Sequence, residues 1–112
     1  MPLIRAETTS IWTPVSFLNG WVNYGSGLTT AAYCREGDRI YLKGVVKSGT
    51  IGATIFFLPV GYRPSERMLF PGVSSSSGVQ VHTRIDVLSN GEVRLISGGN
   101  EYLSLDAVNF RL

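Results

Sequence analysis

The residues best placed to do chemistry are four polar side chains at every second position of one β-rich run, residues 79–88. Gln80, His82, Arg84 and Asp86 alternate with Val79, Val81, Thr83, Ile85 and Val87. A period of two puts the polar set on one strand face and the apolar set on the other. An amide, an imidazole, a guanidinium and a carboxylate can together donate to and accept from a polar ligand. The plain expectation is a solvent-facing strand with an Arg84–Asp86 charge pair. The functional one is a face that contacts ligand.

Other chemistries lack their residues. No Gly-x-Ser-x-Gly elbow occurs, and the Ser74–Ser77 tract lacks its spacing. The single His82 excludes paired-His metal motifs, and the single Cys34 excludes an internal disulfide and a Cys-based zinc site. Cys34 is expected to be a small buried hydrophobe. The carboxylates are Glu7, Glu36, Asp38, Glu66, Asp86, Glu92, Glu101 and Asp106. Most sit in or beside turns, where they bond to backbone, and they do not form the positioned pair of a glycosidase. Glu36-Gly37-Asp38 is a turn before it is a calcium loop. No phosphate loop or dinucleotide fingerprint is present. The chain therefore presents no catalytic residues, no metal ligands and no cofactor motif. Its chemistry is that of a binding or structural protein.

The elements that position these residues are strands. No window shows sustained helical spacing, and short β-rich runs alternate with Gly, Pro, Asn and Ser. Runs are expected over residues 21–24, 29–35, 39–47, 54–58, 67–70, 79–88, 92–96 and 101–112. In 39–47, Ile40, Leu42 and Val46 share the inward face, and Gly44 marks a bulge or a close approach by another side chain. Residues 54–58 are apolar on both faces, which fits a central strand or one buried between subunits. Ser74–Gly78 is expected to be a flexible loop tip, with its serines kept as minor binding candidates. Ser89-Asn90-Gly91 is a hairpin turn. In 101–112 the apolar phase slips near Asp106, which predicts a bulge. The architecture expected is all-β: an antiparallel two-sheet sandwich of jelly-roll kind over residues 11–112, preceded by an arm or linker over 1–10.

Composition bounds the partners. The 112 residues are 44% hydrophobic and 16% charged, with a net charge of +2. That excludes a disordered charged tail and a polybasic nucleic-acid binder. The N-terminus has no signal-peptide core, and no apolar run is long enough to span a membrane. Folding buries roughly two-thirds of a chain this size, enough for one core. The sparse charge points to a surface partly covered by other copies of the chain.

Five segments together resemble a known family. They are Leu18-Asn19-Gly20-Trp21, Tyr33-Cys34-Arg35, Leu42-Lys43-Gly44-Val45-Val46-Lys47-Ser48-Gly49, Phe57-Leu58-Pro59-Val60-Gly61-Tyr62-Arg63-Pro64 and Leu103-Ser104-Leu105-Asp106. The set resembles the C-terminal head domains of bacteriophage tail-fibre and baseplate receptor-binding proteins, above all those of tailed phages of Gram-positive hosts. The resemblance runs from about Trp12 to Leu112. The physics of Trp21, Tyr33, Phe57 and Tyr62 is that of core and turns, so they are framework.

The resemblance implies a homotrimer of β-sandwich heads in the virion, at the tip of a tail. It implies attachment to upstream tail-fibre or baseplate segments and contact with host cell-wall polysaccharide or teichoic acid. A sugar site needs an aromatic face, planar polar groups and, for phosphate-bearing glycans, cations. Gln80, His82, Arg84 and Asp86 are the polar candidates and Tyr102 the ring, with Tyr41 and Trp12 as further rings. Arg39, Lys43 and Lys47 are the cations. The alternative is a structural trimerisation or adaptor domain of the tail without a glycan site.

Overall fold

The computed structural model describes residues 11–112. The arm expected over residues 1–10 lies outside the described residues. Thirteen strands follow in chain order, and no described residue is helical. They are β1 (Thr13–Pro14), β2 (Val22–Asn23), β3 (Ala32–Glu36), β4 (Arg39–Lys43), β5 (Val45–Lys47), β6 (Thr54–Phe57) and β7 (Met68–Pro71). Then come β8 (Val73–Ser76), β9 (Val79–Val81), β10 (Arg84–Val87), β11 (Glu92–Ser97), β12 (Tyr102–Ser104) and β13 (Asn109–Arg111). The antiparallel all-β class is as expected. The hydrogen-bonded sheets number three rather than two, in the orders β1-β3-β4-β13, β6-β11-β10-β7 and β2-β5-β12-β8-β9.

Two long ribbons join these sheets, and both bend where a single strand was expected. The first is β4–β5 against β12–β13. Residues 39–47 keep the expected inward set, since Ile40, Leu42, Gly44 and Val46 are all buried. The strand nevertheless breaks at Gly44, and its halves belong to different sheets. Gly44 has φ +118, and a Cβ there would overlap the backbone of Thr30 and Ala31. The close approach is thus by backbone, not by a side chain. Opposite it, Leu42 N donates to Val108 O at 3.0 Å and Leu105 N to Gly44 O at 2.8 Å. Three residues, 42–44, therefore face four, 105–108, which is the bulge expected near Asp106.

The second ribbon is β7–β8 against β9–β10. Residues 79–88 form two strands in two sheets, where one was expected. Register carries through the fold unchanged, with Ser74 facing Val81 and Pro71 facing Arg84. The expected loop tip is also corrected. Ser74 and Ser75 lie in β8 and are 0% and 4% exposed. Only Ser77 and Gly78 make the turn, with φ of 53 and 76. Two consecutive positive φ angles give the primed turn whose twist matches a hairpin.

β6 is an edge strand, so of the two expectations for residues 54–58, a central strand or one buried between subunits, the first is corrected. Consecutive Ile55 and Phe56 are both fully buried because the β6–β11 register slips between Val93 and Arg94. The slip turns an extra residue inward. The free edge of β6 takes hydrogen bonds from Leu18 N to Ile55 O at 2.9 Å and from Asn19 Nδ2 to Thr54 O at 2.7 Å. The β10–β11 turn is the expected one: Leu88 N donates to Glu92 O, and Gly91 N to Leu88 O, both at 2.9 Å.

The framework residues mostly serve as expected. Tyr33 packs edge-on to Tyr62 at 5.2 Å between ring centroids. Trp21 is 1% exposed, and its Nε1 has no hydrogen-bond partner among the described residues. An unpaired buried donor costs about 1–3 kcal/mol. Burying an indole of about 200 Å² contributes about 5 kcal/mol, so burial wins. Phe57 departs from the expectation, at 48% exposed.

Candidate functional site

The five residues singled out by sequence fall into two groups. Gln80 is on β9, His82 lies in the bend after it, and both are exposed. Tyr102 is on β12 and faces Ser75 of β8, which in turn faces Gln80. Cross-strand partners point to the same side of a sheet. Tyr102, Ser75 and Gln80 therefore make one row across three strands. Gln80 Nε2 donates to Tyr102 Oη at 3.4 Å.

Tyr24, which sequence did not single out, and Lys47, one of the expected cations, complete the face. Tyr24 stands edge-on to Tyr102, with centroids 6.5 Å apart and planes at 83°. Lys47 Nζ sits 5.1 Å over the Tyr24 ring. Tyr24 follows β2 and extends that edge through Tyr24 N to Val45 O at 2.8 Å. Its local sequence gave no sign, because its neighbours are distant in the chain. Only the β2–β5–β12 order brings the two rings together.

The hairpin carrying Gln80 is fixed from below. Glu101 accepts from Ser75 Oγ at 2.7 Å and from Gly78 N at 2.9 Å, through one carboxylate oxygen. The Gly78 N–H, then the Ser75 hydroxyl, hold the Glu101 carboxyl below its ordinary range. Ser75 is thus engaged in anchoring the turn.

Arg84 and Asp86 belong to β10, in a different sheet from Gln80 and Tyr102. Asp86 was expected on the solvent face, yet it is 0% exposed. It is covered by two arginines. Arg84 donates Nε to Oδ1 and Nη2 to Oδ2, both at 2.8 Å. Arg67 donates Nε and Nη2 to Oδ2, both at 2.7 Å. Burial pushes the Asp86 carboxyl up, but the hydrogen bonds from Arg84 and Arg67, with their charges, outweigh it and hold it low. Sequence analysis missed Arg67. The signal is alternation: Leu69 faces Asp86, so Arg67, two residues earlier, lies toward the same side. The group is a charge cluster closed on itself.

The other two candidate rings and the other two cations lie elsewhere. Trp12 sits under Lys43 Nζ at 4.8 Å. Tyr41, Lys43 and Arg39 are on β4, and Arg39 donates to Asn109 Oδ1 at 2.9 Å. That strand belongs to the sheet that does not contain Tyr102. Among the described residues no group of three His, Cys, Asp or Glu could hold a metal ion. No helix among them is long and apolar enough to cross a membrane.

The fold can be matched to solved structures. The receptor-binding protein gp15 of Listeria phage PSA superposes with a TM-score of 0.72 at 19% identity, over 94% of this chain. The chain has the fold of a phage receptor-binding head. The head domain of phage bIL170, a lactococcal phage, superposes with a TM-score of 0.64 at 16% identity. That match covers 93% of this chain and 99% of the bIL170 head. The chain spans 66% of the length of the Listeria phage protein. No protein-family model matches the sequence, and no curated protein does.

Proposed function

We propose that this head domain binds saccharide on the host cell surface through the outer face of the β2-β5-β12-β8-β9 sheet. The observation that carries the proposal is the pair of perpendicular tyrosines with an amide beside them. Tyr24 and Tyr102 offer ring faces for the C–H side of a sugar. Gln80 supplies a donor and an acceptor for hydroxyls, and Lys47 adds a cation for an anionic glycan. His82 stands next to this face. The likeness to a phage receptor-binding protein and to a phage head domain supports receptor binding as the general role. Asp86 leaves the ligand set because it is buried and both its oxygens are engaged, and Arg84 because two of its three guanidinium nitrogens are committed to Asp86 in another sheet.

In this proposal the chain works as a homotrimer in the virion, at the tail tip, attached to upstream tail-fibre or baseplate segments. Its ligand is host cell-wall polysaccharide or teichoic acid. Its role is adhesion, not catalysis. The test is binding of the purified protein to whole cells and to isolated wall polysaccharide from a panel of Gram-positive strains. Strain-selective binding that free polysaccharide competes away is expected. A confirmed trimer that binds none of them would instead be a structural adaptor of the tail. A sedimentation mass equal to one chain at micromolar concentration would remove the trimer.

A further inference from the structure

Beside the fold of the second ribbon lies a depression of about 340 Å³, lined by Pro71, Gly72, Gln80, Val81, His82 and Thr83. Its polar groups differ sharply in what they have left to offer. The Thr83 hydroxyl is engaged, donating to Val81 O at 2.9 Å and lying 2.6 Å from Ser74 Oγ. Ser74 in turn accepts from Gly99 N at 2.9 Å. That chain of bonds leaves the Thr83 hydroxyl little to offer a ligand. The His82 imidazole has no hydrogen-bond partner among the described residues. Gln80 has only its long contact to Tyr102. Pro71 and Val81 supply apolar wall between the two spare polar groups.

We infer that this depression receives one sugar ring branching from the glycan that lies on the tyrosine face, and that His82 and Gln80 decide which branch is accepted. The inference rests on the saccharide reading above and adds a second, shallow part to the same site. Gln80 connects the two parts, since it lines the depression and touches Tyr102. The volume is at the small end for ligand sites, which suits one ring and not a run of them. A pyranose has an apolar face of C–H groups and a rim of hydroxyls. Pro71 and Val81 meet the first, and the imidazole and amide meet the second. Gln80 and His82 are exposed, so each sugar hydroxyl they meet replaces a bond to water, and preference between branches comes from how well donors and acceptors match.

The test is titration of the protein with matched linear and branched oligosaccharides chosen from a printed glycan array. The intact protein is expected to bind a branched ligand at least tenfold more tightly than its linear core. His82→Ala is expected to bring the branched ligand down to the affinity of the linear one, and Gln80→Ala to lower the preference severalfold. Tyr102→Ala is expected to weaken both ligands together. Equal affinity for linear and branched ligands would overturn the inference while leaving the saccharide reading in place. So would a branch preference that survives both His82→Ala and Gln80→Ala. Absence of any glycan binding by the intact trimer would overturn the saccharide reading and this inference with it.

Discussion

The molecule folds a two-stranded ribbon from one sheet into the next at two places, and the two bends are built in opposite ways. At the first, the chain is sealed. Gly44 N donates to Asp106 Oδ1 at 2.8 Å, and the glycine backbone packs directly on Ala31. At the second, the bend around Gly72 and Thr83 leaves a depression and two polar side chains with bonds to spare. One topological device thus serves two ends. Where the backbone groups find partners inside the ribbon, the bend is frame. Where exposed side chains keep donors and acceptors to spare, the bend is the part we propose to hold a ligand.

The contrast can be broken first by mutation at the bends themselves. Gly44→Val forces a side chain into a positive-φ conformation and into the backbone of Thr30 and Ala31. Strain of about 1–3 kcal/mol and overpacking of about 1–3 kcal/mol predict a loss of about 3–5 kcal/mol in urea unfolding. Gly72→Ala is the control. Its φ is not positive, and its new Cβ would meet the movable Ile85 Cδ1 at 2.8 Å. A cost of about 1 kcal/mol is expected there. Equal costs at the two glycines would show that both bends are frame.

The second prediction concerns the charge cluster on β10. Asp86→Asn removes a buried carboxylate bonded to two arginines that are 47% and 44% exposed. Those arginines can turn to water, so the loss is that of the charged hydrogen bonds, about 2 kcal/mol. A thermal melt should fall by roughly 10 °C. The parent carboxyl titrates below its ordinary value in the fold. Its stabilising effect is therefore complete above the ordinary carboxylate range and is lost as the pH falls through the lower, folded value. The Asn variant should show a flatter decline under acid. Saccharide affinity at neutral pH should not change, since Asp86 and Gln80 lie in different sheets.

These bends also mark what sequence could and could not tell. Alternation placed Ile40, Leu42 and Val46 inward correctly, because each half of a bent strand keeps its own period. It could not show that the halves join different sheets, since a period of two is the same in both. The phase slip near Asp106 was visible because a bulge adds a residue. The second ribbon bends without adding one, so residues 79–88 looked continuous, and Asp86 looked exposed. Ser74 and Ser75 looked like a loop because serine favours turns locally. Their burial depends on the hydroxyl partners Thr83 and Glu101, which lie 9 and 26 residues away. Of the expected ligand set, Gln80, His82 and Tyr102 share a neighbourhood. Tyr24 and Lys47 join them through strand order alone.

A smaller effect is expected from the tyrosine face. Tyr102→Ala removes one of the two perpendicular rings and the contact to Gln80. A tenfold loss of saccharide affinity corresponds to about 1.4 kcal/mol, a usual cost for truncating an aromatic contact. The melt should move little, because Tyr102 is only half-buried. Arg84→Ala should do the reverse, lowering the melt without lowering affinity. A loss of affinity in Arg84→Ala as large as in Tyr102→Ala would join the two regions into one site.

The smallest effect is expected at Glu101, and it separates a prop from a contact. Its carboxylate bonds the Gly78 N–H and the Ser75 hydroxyl, which holds the β8–β9 turn in place. Those bonds lower its pKa, the Gly78 bond first. A lowered folded pKa means the tether is complete above the ordinary glutamate value and is lost as the pH falls through the folded one. Gln80 rides on that turn. Saccharide affinity should therefore hold constant from neutral pH to about pH 5 and then fall a fewfold on further acidification. Glu101→Gln keeps an oxygen that can accept both bonds but removes the charge that strengthens them. Its affinity at neutral pH should already be a fewfold lower, with a shallower acid response. If the variant matches the parent at every pH, the turn is held by its own primed geometry and Glu101 is no prop. That outcome would also mean that the open bend is as self-supporting as the sealed one, differing from it only in what its side chains leave free.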